Sequence, residues 1–473
     1  MDNNDKYHAL RAQYPVFEYV DYHWQATDEG LRLWFDFRMG EVEFHPTALV
    51  ERRPFLDFEV AGLDDIVFNI GMIELISYWK CACPPTVRVL CGSLTDNQIA
   101  FWRKLYWNGL GEFFYTNQIH ADVDDFIKLP ATRKSINPRE MDLWITPKAG
   151  DCYLVPVGGG KDSVVTLELL RQAGKQIRPL IMNPRGATIE CARVAGFPME
   201  EVLVIRRTID PTLLELNRQG YLNGHTPFSA MLAFYTRLAS ALSGIPNVAL
   251  SNESSANEST VAGTSVNHQY SKSLEFEDGF RTYVVESRKI KVERGAAASG
   301  NLSTFNFQFS TFNYFSFLRP LSELQIAMLF SRFTQYHDVF RSCNVGSKQD
   351  IWCGHCAKCL FAYIILSPFI EPDRLNRIFG KPMLDDLTLQ LEFRQLTGQA
   401  ATKPFECVGT VSEVLTALSM TLERWYTDRR PSLLEEFTPV PADRRTPLQG
   451  LLPEGNLTEE ERNILKQCIE KSN

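Results

Sequence analysis

Residues 157 to 163 read Val-Gly-Gly-Gly-Lys-Asp-Ser, which puts three glycines, a cation, a carboxylate and a hydroxyl into seven positions. Gly158, Gly159 and Gly160 admit positive φ and close approach, so successive amide N–H groups can converge on an anion. A helix starting at Lys161 would add the positive end of its dipole. Phosphate is the natural guest. A Walker loop ends in Gly-Lys-Ser/Thr, whereas Asp162 separates Lys161 from Ser163 here, and Ser163 stands where the dinucleotide pattern Gly-x-Gly-x-x-Gly has its last glycine. The plain alternative is a glycine-rich turn without a ligand, which the strand-to-helix setting disfavours.

A second constellation is Cys343, Cys353, Cys356 and Cys359, spaced C-x9-C-x2-C-x2-C. Four thiolates this close satisfy the tetrahedral preference of zinc, and a closed sulfur set leaves no place for a catalytic water, so the metal would be structural. An iron-sulfur cluster, or His355 in place of one thiolate, stays open. The polar run from Ser251 to Ser259 offers Asn252, Glu253, Asn257 and Glu258 to a metal-bound nucleotide or to solvent. Asn267 to Ser273 then puts His268, Tyr270 and Lys272, three proton-transfer groups, into five residues. If Asn267 caps a helix, His268 and Lys272 share a face and Tyr270 points elsewhere. Cys407, beside Glu406 in the Lys403 to Thr410 stretch, is either a reactive thiol or a small buried apolar group. Arg185, Arg206 and Arg207, at expected strand ends, and Arg193 could neutralise a diphosphate or simply be solvated.

The elements that must position these residues follow from periodicity. Tyr153 to Val157 reads as a buried strand, and a helix from the glycines stops at Gly174. Strands are expected at Ile177–Met182, Val202–Ile205 and Val248–Leu250, alternating with helices at Thr188–Ala195, Pro211–Arg218 and Pro227–Leu242. This is an α/β pattern with a central parallel sheet, whose ligands belong at the carboxyl ends of strands, including Asn183. An α+β module is expected over residues 1–150, the nucleotide domain with its cysteines over 151–360, and a helical region over 361–473. In the first module, Leu31–Phe37 and Val42–Val50 suggest a hairpin. Asp64-Asp65 suggests a cap for a helix through Ile76, Thr86–Leu90 an extended segment, and Thr95-Asp96 the start of a helix carrying Trp102, Tyr106 and Trp107. Those aromatics suit a core better than a stacking platform. Arg133–Arg139 and Pro147–Gly150 mark a boundary, residues 291–304 a flexible connection before aromatic strands from Phe305 to Phe317, and Arg319-Pro320-Leu321 starts a helix through Phe333. The run Cys359–Ile370 is a buried helix, too short for a bilayer, and Val411–Tyr426 is amphipathic.

A chain of 473 residues with 44% hydrophobic and 22% charged residues is globular, and a net charge of -8 argues against duplex nucleic acid as a partner. The first residues lack a basic and apolar leader, and eleven cysteines suit reduced thiols, so a cytoplasmic location is expected.

The glycine loop resembles the Ser-Gly-Gly-x-Asp-Ser pyrophosphate loop (PP-loop) of the ATP pyrophosphatases, with Gly158 in place of the first serine and hence without its hydroxyl. The cysteine cluster resembles the zinc site of the cyano-deazaguanine synthase branch of the same superfamily. Together with Asn252–Glu258, Asn267–Ser273 and Lys403–Thr410, these segments resemble the UDP-N-acetylmuramoyl-L-alanyl-L-glutamate epimerase family, MurL, over most of the chain. The resemblance implies an adenine-nucleotide alpha hydrolase sheet, ATP, Mg2+, a structural zinc and a nucleotide-sugar dipeptide substrate in peptidoglycan precursor synthesis. Its terminal L-glutamate would be inverted through an acyl-adenylate, with AMP and pyrophosphate released. It implies nucleotide contacts from Gly158, Gly159, Gly160, Lys161, Asp162, Ser163 and Asn183, with Asp162 helping to hold Mg2+. Catalytic candidates are Lys161, Asp162, Glu253, His268, Tyr270, Lys272 and Cys407. A ligase of the same superfamily and a non-catalytic nucleotide sensor are the competing readings.

Overall fold

The computed structural model describes residues 2–130, 151–261, 263–284 and 312–471. The chain divides into two compact units, one made of Met1–Gly150, Leu203–Val248 and Tyr270–Asn313, the other of Asp151–Val202, Ala249–Gln269 and Tyr314–Asn473.

The first unit contains strands β1 (Val16–Thr27), β2 (Gly30–Met39), β3 (Val42–Phe44), β4 (Thr47–Glu51), β5 (Thr86–Val89) and β8 (Leu203–Arg207). They are ordered β8-β4-β2-β1-β5, with β3 on β2. The β1, β3 and β4 strands pair antiparallel with β2, β8 pairs antiparallel with β4, and β5 runs parallel to β1. Strict alternation explains β2: Leu31, Leu33, Phe35, Phe37 and Met39 are buried while Arg32, Asp36 and Arg38 are not. The extended reading of Val42–Val50 resolves into two strands, because His45-Pro46 interrupts the ladder. The longest strand, β1, was not expected, since its outer half alternates between half-buried and exposed residues.

The Leu63–Trp79 helix is buried along nearly its whole length and starts after Gly62 at φ 76° without a side-chain cap. Asp64 and Asp65 lie in its first turn, where they favour the dipole, and are not its cap. Thr95 does cap Asp96–Gly109, through a capping box with Gln98. Trp102 and Tyr106 are fully buried there, and Trp102 stacks on Phe234 at 4.9 Å, so these aromatics are core.

The second unit orders its strands β10-β9-β6-β7, where β6 is Cys152–Pro156, β7 Gln176–Met182, β9 Asn247–Leu250 and β10 Asn313–Ser316. The β6 and β7 strands are parallel, from Cys152 opposite Gln176 to Pro156 opposite Leu180. Every residue of β6 is buried, as a strand covered on both faces requires. Helices follow at Lys161–Gln172 and Gly186–Val194, then at Glu323–Phe330, Ala357–Leu366, Pro372–Phe379, Val411–Trp425 and Glu459–Glu470. Among the described residues no helix is long and apolar enough to cross a membrane. The segments 133–139, 147–150 and 291–304, and the start of the aromatic stretch before β10, lie outside the described residues.

Candidate active site

In the second unit the chain leaves β6, turns through the three glycines and enters the Lys161–Gln172 helix. Gly159 has φ 80°, and a Cβ there would lie 3.0 Å from Ala187 and the Thr188 nitrogen, so glycine is required on both conformational and steric grounds. Its carbonyl accepts from the Arg341 N–H at 2.7 Å, and a Cβ on Gly160 would press on Ser342 at 3.2 Å. Gly158 faces open space. Gly160 is the extended N-cap and offers no side-chain cap, which leaves the first-turn amides available to an anion. The Ser163 hydroxyl donates to the Gly160 carbonyl at 3.0 Å. Asn183, after β7, holds φ 51°, a conformation asparagine tolerates better than most residues.

Beside the loop, Lys161 is buried and its ammonium bonds Asp162 Oδ1 at 2.5 Å and Glu323 Oε2. Carboxylate oxygens of Asp162, Glu253 and Glu323 lie within 4.8 Å of one another, an arrangement that could hold a cation. Glu253 Oε2 is buried without a partner among the described residues. Burial opposes charge on Lys161, but Asp162 and Glu323 outweigh it and hold the ammonium firmly protonated. Burial, with Asp162 and Glu253 adding and Lys161 opposing, pushes the Glu323 carboxyl up to about 8. Glu323 opens its helix behind Ser322, which forms a capping box with Gln325, and its own N–H donates to Glu413 at 2.7 Å. Sequence reasoning missed Glu323; the only signal was that Ser-x-x-Gln start.

Gly409 brings the third component. A Cβ on it would fall 2.8 Å from Glu413 Oε2 and 3.1 Å from Glu323 Cγ, so the Lys403–Thr410 stretch packs directly on the carboxylates. Two residues earlier, Cys407 Sγ lies 3.9 Å from His268 Nε2. Both are half-buried. Lys403 pairs with Glu258 at 2.5 Å, and Gln269 Nε2 donates to the Val408 carbonyl at 3.2 Å. Asn267 does not cap an α-helix: its Oδ1 accepts from the Gln269 N–H at 2.8 Å, an Asx turn, and the chain continues as the short 3-10 segment Tyr270–Lys272. The four-residue spacing of His268 and Lys272 therefore does not define a shared helical face. Tyr270 and Lys272 belong to the first unit, where burial raises the Tyr270 phenol above its ordinary range.

The four cysteines converge. Cys343 and Cys356 sulfurs are 3.8 Å apart, Cys353 and Cys359 3.7 Å, and Cys356 and Cys359 3.5 Å. Sulfurs at about 2.3 Å from a tetrahedral zinc are separated by about 3.8 Å, so the set fits this ion. His355 is exposed with Nδ1 against the Cys353 carbonyl at 2.9 Å, outside the sulfur set. Three of the candidate arginines pair with acids, Arg193 with Glu190, Arg206 with Glu51 and Arg207 with buried Glu74, while exposed Arg185 holds the N-cap position of a helix through its backbone.

A glycine loop after a parallel strand, a carboxylate cluster and a thiol–imidazole pair fall within one unit of an α/β protein and bring acid–base groups together there. The sequence profile of the MurL N-terminal domain matches residues 8–293 and that of the MurL C-terminal domain residues 339–445. The chain belongs to the MurL family. A UDP-N-acetyl-alpha-D-muramoyl-L-alanyl-L-glutamate epimerase of Xanthomonas oryzae pv. oryzae is 36% identical over 88% of this chain and 87% of its own length. Proteins of the same name from Salinispora tropica and Micromonospora sp. are 35% and 34% identical over 84% of this chain, and over 82% and 85% of their own lengths. No solved structure matches the chain.

Proposed function

We propose that the protein inverts the terminal L-glutamate of UDP-N-acetylmuramoyl-L-alanyl-L-glutamate in peptidoglycan precursor synthesis, at the expense of ATP. The observation that carries this reading is the packing of Gly409 onto Glu323, which joins the glycine loop and its carboxylates to the Cys407–His268 pair. The relatives' shared name supplies the substrate. Removing a proton from the carbon next to an ionised carboxylate would add charge to a group already negative. In the first step a carboxylate oxygen of the substrate attacks the α-phosphorus of ATP, the α–β bridge breaks, and pyrophosphate leaves on the uncapped helix start and Lys161. The acyl-adenylate has an acidified Cα–H. The Cys407–His268 pair takes that proton, and a proton returns on the opposite face. Water then cleaves the anhydride to the D-glutamyl product and AMP.

Mg2+ fits the Asp162, Glu253 and Glu323 carboxylates, where the buried Glu253 Oε2 lacks a partner among the described residues, and would supply charge neutralisation to the phosphates. Positioned acid and base groups contribute typically about 10² to 10⁴ each. The test is incubation with ATP, Mg2+ and substrate in deuterium oxide. Phosphorus NMR is expected to show AMP and pyrophosphate, and the D-glutamyl carbon to carry deuterium. ADP and phosphate would remove the loop assignment, and an untouched carbon with ATP consumed would point to a ligase.

A further inference from the structure

Residues flanking the four-cysteine cluster reach the loop that carries Cys407. Asn344 follows Cys343 directly, and its Nδ2 donates to Glu406 Oε2 at 2.5 Å. Lys358 stands between Cys356 and Cys359, is buried, and its ammonium donates to the carbonyl of Cys407. The same ammonium lies over the Phe361 ring, 5.4 Å from its centroid. Two neighbours of metal-ligating cysteines thus grip two consecutive residues of one loop. On the far side of that loop, Gln269 holds the Val408 carbonyl and His268 faces Cys407.

From these contacts we infer that Asn344 and Lys358 are positioning residues, through which the four-cysteine cluster fixes the Glu406–Cys407 segment and with it the distance from Cys407 to His268. Neither side chain moves a proton. The Lys358 bond goes to a backbone carbonyl, so it sets where the Cα of Cys407 sits, and a reacting group displaced by about 1 Å loses about 10²-fold in rate. Replacing Lys358 by an apolar residue removes the ammonium that bonds this carbonyl. The inference rests on the reading of Cys407 and His268 as the proton-transfer pair.

The experiment compares wild type, Lys358→Met, Lys358→Arg and Asn344→Ala in three readouts, with bound zinc quantified for each. Pyrophosphate–ATP exchange reports adenylation, deuterium incorporation reports proton transfer, and peptide-resolved iodoacetamide labelling reports Cys407 reactivity against Cys468 as an internal standard. Lys358→Met is expected to keep its zinc, to hold exchange within about threefold, and to lose about 10²-fold in deuterium incorporation, with a changed Cys407:Cys468 labelling ratio. Lys358→Arg should recover most of the loss, because it keeps a donor. Asn344→Ala, which alters a more exposed tether, should show the same split in weaker form and decides the matter if Lys358→Met fails to fold. Parallel losses of exchange and deuterium incorporation in zinc-loaded variants, or an unchanged labelling ratio, overturn the inference. Absence of exchange in wild type would instead sink the adenylate reading, and the labelling ratio would still judge the tether.

Discussion

Each unit buries an ionic cluster, and the two differ in how their charge is balanced. In the first, Arg207 Nε bonds both oxygens of Glu74 at 2.6 and 2.8 Å, Ser77 accepts from the guanidinium at 3.2 Å, and Tyr235 donates to Glu74 at 2.9 Å. One cation meets one anion, and Glu74 is 1% exposed with its oxygens occupied. In the second, the Lys161 ammonium bonds two of three clustered carboxylates, one oxygen of Glu253 has no partner among the described residues, and the Glu323 carboxyl is pushed up to about 8. A satisfied pair holds strands and helices together, whereas clustered carboxylates in excess of the cation they bond are an arrangement that could hold a metal ion. Depth of burial does not distinguish them; the balance of partners does.

The sharpest way to break this contrast is to remove one charge from each cluster. Asp162→Asn should lower turnover by about 10² to 10³, the range for loss of one preorganised electrostatic contact, while leaving the urea midpoint nearly where it was or raising it. Glu74→Ala should do the reverse. It strands Arg207 in the core and is expected to cost about 3–5 kcal/mol of stability, with loss of activity only in proportion to unfolded protein. Equal stability losses in the two variants would show that the carboxylate cluster is as structural as the arginine pair.

That contrast also marks what the sequence could reveal. The glycine loop was legible because strand, turn and helix start are contiguous, so seven neighbouring residues carry the whole motif. The cysteine set was legible because its spacing falls within one short segment. Glu323 was not, since it meets Lys161 from 162 positions away and a glutamate at a capped helix start looks ordinary. Cys407 and His268 were each named, but their pairing across 139 positions depends on tertiary packing and on the Asx turn at Asn267. Arg207 was misjudged for the same reason: its partner Glu74 sits on a helix whose apolar run hides the one acid.

A smaller effect concerns cation binding at the carboxylate cluster. If Asp162, Glu253 and Glu323 accept Mg2+, the ion at about 100 times its Kd should stabilise the protein by about 2.7 kcal/mol, because only the folded chain gathers the three carboxylates. Glu323→Gln should lose most of that gain in a thermal melt, and Glu74→Ala should keep it. A Mg2+ shift of the same size in Glu323→Gln would move the ion elsewhere.

The smallest expected effect is the pH dependence of stability, and its sign discriminates between the clusters. Burial lifts Glu323 from the ordinary 4.5 to about 8, so the folded chain binds that proton more tightly than the unfolded one. The resulting contribution is complete below the ordinary carboxylate pKa and is lost as pH rises through about 8, with a slope of at most about 1.4 kcal/mol per pH unit. Lys161 is also raised, but its contribution is lost only above the ordinary lysine range, so it leaves the neutral window flat. Urea midpoints measured without Mg2+ should therefore fall from about pH 5 to about pH 8 in wild type and fall less in Glu323→Gln. Mg2+ should flatten the wild-type curve as well, since the ion binds the deprotonated cluster and stabilises most strongly where the proton has left. Its affinity should rise with pH across the same interval. A wild-type curve that is already flat without Mg2+ would mean that Lys161 alone neutralises Glu323, and the second cluster would then be as balanced as the first.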